Sequence, residues 1–337
     1  MTTNTPSPNP AANAPAKASD SQAKQKLLAF ASLIALIVIF SVLKPDAFFT
    51  TDNIIGILQS TTVIGVLAIA STFIIITSGI DLSVGVLMTF CAVIAGVFMV
   101  NLGLPMWIGV PGAVLVGALC GTVSGLAITK LRVPPFIATL GMMMLLKGAS
   151  LIITKTRPIY FNDVEGFDSI SLGSALSDLI PGLPIPNGVL IMFIVAVVCA
   201  VILNKTALGR YTFALGSNEE AVRLSGVNVD RWKVIIYAFS GGICGVAGLL
   251  IASRLNSAQP ALGQGYELDA IAAVVIGGTS LSGGVGTILG TIIGAFIMSV
   301  LINGLRIMSV AQEWQMVLTG VIIILAVYTD NLRRKKQ

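Results

Sequence analysis

The chain contains no histidine, which removes the commonest metal ligand and proton shuttle. Charged residues make up only 10% of its 337 positions, against roughly 25% in soluble domains. Cysteine is rare: Cys91, Cys120, Cys199 and Cys244 each sit in an apolar run, and no CxxC pair occurs. A metal or redox site is therefore not expected, and these residues are read as small apolar filler. No G-x-x-x-x-G-K-[ST] is present, so the chain carries no P-loop of its own for ATP hydrolysis. With no H-E-x-x-H and no nucleophile elbow, no catalytic residue is nominated and an enzyme is not expected. Lys147 is the one basic residue well inside an apolar segment. The chains of buried acids and histidines that mark proton-driven carriers are missing.

What remains is apolar residues and glycine. Hydrophobic residues reach 55%, and the mean hydropathy is +0.94, which places the chain among integral membrane proteins. Thirty-five glycines suit close helix packing in lipid. The net charge of +5 is read as an orientation signal rather than as a nucleic-acid site.

A bilayer core needs about 20 apolar residues per helix. About ten segments qualify: 27–43, 54–77, 83–101, 107–129, 134–153, 188–204, 232–252, 267–280, 286–304 and 312–329. The eighth is short; it is either re-entrant or joined to the ninth. Most of the 20 Lys and Arg fall outside these segments on one side if the N-terminus is cytoplasmic, leaving only Lys44, Lys155, Arg157, Arg254 and Arg306 on the other. That bias predicts cytoplasmic termini and an even number of spans. The expected fold is an all-α polytopic transmembrane helix bundle.

Residues 1–26 are rich in Ala, Pro, Asn, Ser and Thr and are expected to form a disordered cytoplasmic tail. No apolar stretch begins before Leu27, so this is no signal peptide. The membrane domain is expected at 27–330 and a short basic cytoplasmic tail at 331–337. Within the domain, residues 154–187 form the largest external loop, with Asp163, Glu165, Asp168 and Asp178 before PGLPIP at 181–186. Residues 204–231 form the largest internal loop. Helix packing is written in four-residue spacings that align glycines on one helical face: Gly117, Gly121 and Gly125; Gly241 and Gly245; Gly286, Gly290 and Gly294.

Three motifs carry the functional reading. SGIDLSVG, Ser78 to Gly85, lies between the second and third segments. Asp81 and Ser83 there either cap the next helix or stand on a transport path or partner contact. In ALGSNEEAVRLSGVNVD, Ala214 to Asp230, Ser217 or Asn218 can cap a short helix that Glu219 and Glu220 favour in its first turn. Ala221, Leu224 and Val227 give that helix an apolar stripe, and Gly226 ends it. It is either a connector on the bilayer surface or a helix that docks into a partner's groove. In YELDAIAAVVIGGTSLSGGVGT, Tyr266 to Thr287, Glu267 and Asp269 precede an apolar pattern broken by glycines including Gly277 and Gly278. Such broken segments either line a substrate path in transporters or form a packed helix-turn element. TSLSGGVG faintly echoes GIDLSVGV, too briefly to establish a repeat.

Together with VPPFIATLG at 133–141, these motifs resemble, in order, the signatures of permease subunits of ribose-type ABC sugar importers, within the branched-chain amino acid and sugar permease superfamily. The resemblance spans about residues 30–330. Val86 departs from it, where many relatives carry a small polar residue. The resemblance implies an inner-membrane permease pairing with a second permease subunit, expected to be a second copy of itself. It implies a cytoplasmic ATPase subunit that holds ATP and Mg, so this chain needs no cofactor. A periplasmic sugar-binding protein and a small sugar complete the expected partners. It further implies that Gly216, Ser217, Asn218, Glu219, Glu220, Arg223, Leu224 and Gly226 belong to a helix coupling the chain to that ATPase. Branched-chain amino acids or nucleosides as cargo, and a self-powered carrier, are the competing expectations.

Overall fold

The computed structural model describes residues 14–179 and 185–334. Thirteen α-helices run along these residues. They are α1 Ala14–Leu43, α2 Pro45–Phe48, α3 Thr51–Ile76, α4 Val84–Gly96, α5 Met106–Thr129, α6 Pro135–Thr154, α7 Ala175–Leu179, α8 Asn187–Lys205, α9 Ala207–Leu224, α10 Val229–Leu255, α11 Tyr266–Ile276, α12 Ile288–Ile307 and α13 Gln312–Arg334. A π-helical turn, Val97–Asn101, continues α4. Seven helices are long and apolar enough to cross a membrane: α3, α4 with its π turn, α5, α6, α8, α10 and α12. The apolar stretches Leu27–Leu43 of α1 and Gln312–Leu325 of α13 are shorter. Each of the ten segments expected from hydropathy coincides with a helix, and the fold is an all-α membrane bundle.

The core is built on α3, α4, α10 and α12, each 67% buried over its most apolar window. Uniformly apolar sequence on all sides suits a helix enclosed by other helices. Phe73 of α3 meets Phe239 of α10 edge-on, with centroids 5.0 Å apart. By contrast α6 is only 22% buried over its window, and its Phe136, Ile137, Leu145 and Ile152 are exposed.

Glycine sets how closely these helices approach. A Cβ on Gly121 would fall onto the Tyr237 carbonyl, and one on Gly125 would lie 2.8 Å from the Val234 Cα. Gly117 and Gly241 face each other, while Gly245 rests on Val114. These contacts make α5 and α10 the most extensively packed pair. Gly290 and Gly294 do the same for α12 against Gly277 and Ala273 of α11. Gly286 differs from its expected place: it precedes the Thr287 cap of α12 and abuts the Ile76 side chain. Only two of its trio are therefore on the helix.

Other expectations shift as well. Residues 1–13 lie outside the described residues, but α1 begins at Ala14, inside the segment expected to be disordered. Pro15 near its start, followed by Ala, Lys and Gln, extends the apolar helix backward by ordinary helix propensity. Residues 335–337 of the basic tail are outside the described residues, and 331–334 continue α13. The loop after α6 is folded rather than open, although 180–184 of its proline run lie outside the described residues. Phe161 and Phe167 stack 4.1 Å apart against buried α4 and α10 residues. Ser253 donates to the Phe167 carbonyl at 2.7 Å. A two-residue strand, β1 (Ile159–Tyr160), pairs antiparallel with β2 (Ser257–Ala258). That pair is the small β addition to an otherwise helical fold and marks one end of the bundle.

The eighth segment neither spans as one helix nor joins the ninth. α11 has 11 residues, about 16 Å at 1.5 Å per residue, half of a ~30 Å hydrocarbon core. From β2 the chain re-enters the bundle as irregular backbone over 259–265, which packs through Gly263 on Gly85. Gly85 opens α4, and α4 itself begins part-way along α10: Gly248 rests on Met88, while Gly79 lies against the Tyr237 hydroxyl. The irregular segment 259–265 thus sits against the first turns of α4, which directly follow the irregular segment 77–83. Irregular backbone at that depth is tolerated only where protein surrounds it.

Replacing Gly121 by Val should cost at least the ~1–3 kcal/mol of core overpacking, because the obstacle is the Tyr237 backbone. Gly141, with nothing near its Cβ position, should accept Ala with a gain of about 0.5–1 kcal/mol. Thermal unfolding of the detergent-solubilised variants checks both signs.

Candidate functional site

The four motifs quoted above converge. α3 ends at Ile76, and Ser78 follows in the left-handed region at φ 62°. Its hydroxyl donates to the Ser282 carbonyl at 2.8 Å and lies 3.4 Å from the Gly216 carbonyl. The Gly284 N–H donates to the Ile76 carbonyl at 2.8 Å. Gly216 closes the triangle: a Cβ there would overlap the Ile76 carbonyl and lie 2.6 Å from the Gly284 nitrogen. Three backbones that are remote in sequence therefore touch at one point. They are the end of α3, the middle of α9 and the loop before α12. Gly283 and Gly284 sit at φ 83° and 74°, which a side-chain-bearing residue rarely adopts.

The fourth motif joins through Thr139 of α6, which is fully buried. The Leu82 N–H donates to its hydroxyl oxygen, and that hydroxyl lies within bonding reach of the Ile80 carbonyl, both at 3.2 Å. Sequence reasoning quoted this motif without singling out Thr139 or Ser282. A hydroxyl placed next to Gly-rich turns was the available signal, but nothing local told which carbonyl it would meet.

The nominated residues separate into distinct roles. Asp81 is buried, and its Oδ1 accepts from the Ser83 N–H at 2.7 Å and the Ser83 hydroxyl at 2.6 Å. This is an Asx turn that ties a carboxylate to the backbone of Ser83, the residue preceding α4. Glu267 does the same for α11: both its oxygens accept from the Gly265 N–H at 3.1 Å. Gly277 packs on Gly290, and Gly278 turns the chain at φ 91°. Asp269 stands apart from these, because its side chain lines a cavity of about 600 Å³ between α3, α10, α11, α12 and α13.

In the 204–231 loop, helix is longer than expected: α9 runs from Ala207 to Leu224 and is broken at Asn218 (φ −162°, ψ 96°). Asn218, not Ser217, caps the second half, accepting from the Ala221 N–H at 2.9 Å. Ser217 instead donates back to the Phe213 carbonyl, a bond within the turn before the break. Glu219 is held between Lys233 at 2.6 Å and Arg223 at 3.1 Å. Gly226, at φ 84°, ends the element as expected. The nominated apolar stripe does not face the bundle: Ala221 is exposed and Leu224 is 83% exposed. Glu220 and Arg223 flank it in solvent. The half of α9 beyond the Asn218 break thus presents an uncovered leucine, while the half before it packs at Gly216.

Comparison with known proteins matches the arrangement to a family. The family described as "Branched-chain amino acid transport system / permease component" matches residues 53–327. The chain belongs to this family. It is 45% identical over 305 residues to the ribose import permease RbsC of Haemophilus influenzae, covering 90% of this chain and 92% of that protein. Identity to the Bacillus subtilis ribose import permease RbsC is 42% over 309 residues, covering 91% and 93%. The fructose import permease FrcC of Rhizobium meliloti is 37% identical, covering 90% of this chain and 84% of its own length. No solved structure matches.

Gly216→Ala should separate the three backbones at the junction, so the solubilised chain should lose about 1–3 kcal/mol of stability, the cost of overpacking. Ser78→Ala removes one hydroxyl and should cost about 1 kcal/mol. Thermal unfolding that ranks Ser78→Ala as the more damaging change would contradict this geometry.

Proposed function

We propose that this chain is the membrane subunit of an ATP-driven importer for a monosaccharide, a ribose-like pentose or a related sugar. Three sugar import permeases among its relatives support the cargo class. The single observation that carries the mechanism is the α9 tip. Leu224 and Ala221 are exposed on a helix whose other half is locked to the ends of α3 and the 277–287 loop through Gly216. An ATP-hydrolysing subunit that grips residues 216–226 would move that junction as a unit, because close-packed backbones transmit displacement rather than absorb it. The irregular segments 77–83 and 259–265 then shift, and the route between the two bundle ends alternates. ATP and Mg belong to that partner subunit.

In this reading the chain crosses the inner membrane ten times, with α11 and the 259–265 backbone together forming one crossing. Both termini and α9 lie in the cytoplasm, and β1, β2 and the 155–186 loop face a sugar-binding protein outside. The basic residues around α9 support that orientation. A second permease subunit, a second copy of this chain, covers α6. That helix places the Lys147 amine mid-span, where it donates to Gln264 at 2.9 Å and is in no salt bridge among the described residues. A cation facing lipid there would cost about 2.5–3.5 kcal/mol, whereas a polar path between two copies accommodates it.

Exchanging Glu219 and Arg223 together for Ala leaves the junction at Gly216 intact while loosening the α9 tip. Uptake per ATP hydrolysed by the reconstituted importer should fall about tenfold, within the range of typical coupling energies, with the chain still folded. Unchanged stoichiometry would remove the α9 tip from coupling. Ribose uptake by the chain alone without ATP would favour a self-powered carrier.

A further inference from the structure

The cavity that takes the Asp269 side chain is not explained by the coupling junction. It lies between α3, α10, α11, α12 and α13, toward the end of the bundle that carries β2. At about 600 Å³, it falls within the usual size range of small-molecule sites. Arg254 and Arg306 line it, and neither is in a salt bridge among the described residues. The buried Ser299 hydroxyl and the Asn303 Oδ1 also line it and have no hydrogen-bond partner. Ser299 is 1% exposed. Buried polar atoms are rarely left unpaired, since each costs about 1–3 kcal/mol. Two such atoms on one helix, beside two guanidiniums without an ion partner among the described residues, one of which (Arg254) donates to the Gln59 carbonyl at 3.3 Å, point to a polar occupant.

The donor and acceptor pattern selects its chemistry. Guanidinium groups only donate, whereas the Asp269 carboxylate and the Asn303 Oδ1 only accept. An anion would pair with the arginines and be repelled by those acceptors. A hydroxyl both donates and accepts, so a solute with several hydroxyls on one ring can answer all of them. Tyr266 adds an aromatic ring to the wall, on which the C–H side of a sugar ring can lie.

We propose that this cavity is a sugar-binding station within the permease, in which Arg254, Asp269, Ser299, Asn303 and Arg306 hold a neutral monosaccharide by its hydroxyls. The site deepens the importer reading and rests on it for its cargo, but occupancy needs no ATPase subunit. The test therefore uses the full chain in membranes. Asn303→Cys places a thiol in the cavity wall, and the unsubstituted chain supplies the background from its own four cysteines. A small, water-soluble methanethiosulfonate should label the variant. Saturating D-ribose should slow that labelling roughly fivefold, as expected for a ligand at several times its dissociation constant. Inorganic phosphate at the same concentration should not.

Protection by phosphate and not by ribose would overturn the proposal in favour of an anion site. Failure to label, or labelling indifferent to ribose, would overturn it outright. In the reconstituted importer, Ser299→Ala with Asn303→Leu should raise the KM for ribose uptake about tenfold, roughly 1.4 kcal/mol. ATPase docking should stay unchanged. A lost ATPase partner with ribose protection intact would sink the importer reading and leave the site standing.

Discussion

The architecture depends on one contact: Gly216 lying directly on the Ile76 carbonyl and the Gly284 nitrogen. No side chain can be added there without moving a backbone. The Gly284 N–H bond to Ile76 and the Ser78 bond to Ser282 pin the same three segments from the other side. The first half of α9 also packs inward through Gly209, Thr212 and Leu215, so this contact joins α9 to the loop before α12 as well as to the bundle core. α3, the most enclosed helix, and α12, which α11 grips through glycines, both end within reach of it.

A second constraint follows from the bilayer. α4 and α11 both begin inside the bundle rather than at its surface, and each needs a partner for its first N–H groups. Asp81 and Glu267 supply carboxylates at those two sites. Both carboxylates are thus engaged by the backbone just before those helices, and groups suited to a solute stand elsewhere as well. The cavity beside α11 has such groups in Arg254, Arg306, Ser299 and Asn303. Together with Asp269, they present donors and acceptors at a place where the fold leaves space.

Much of this was legible in the sequence. Hydropathy located the seven helices long and apolar enough to span lipid, because such runs have few alternatives; it also marked α11, which at 11 residues does not span. Four-residue glycine spacing found the α5–α10 seam, since that spacing keeps small residues on one face. The Gly226 stop followed from residue type, whereas residue type left the cap open between Ser217 and Asn218 until the bond to the Ala221 N–H decided it. The joining of Ser78, Gly216 and Gly284 was not legible, because nothing local states which loop a turn will touch. Likewise the cavity residues come from three helices: Ser299, Asn303 and Arg306 share one face of α12, but nothing local says that Arg254 and Asp269 meet them. The first half of α9 was read as part of the 204–231 loop because Ala207 to Leu215 is too short and too interrupted by Gly209, Arg210 and Thr212 to look like a span. The backbone bonds of Asp81 and Glu267 to Ser83 and Gly265 needed the folded turns, because residue type does not say which N–H a carboxylate will meet.

The most direct measurement is purification of this chain from mild-detergent membranes with identification of what accompanies it, for the native sequence and for one with residues 219–224 scrambled. The account predicts that a P-loop ATPase subunit co-purifies with the native chain and is lost from the scrambled one, with expression of both unchanged. A native chain that purifies without any such subunit, and still carries ribose into liposomes in the absence of ATP, would contradict it.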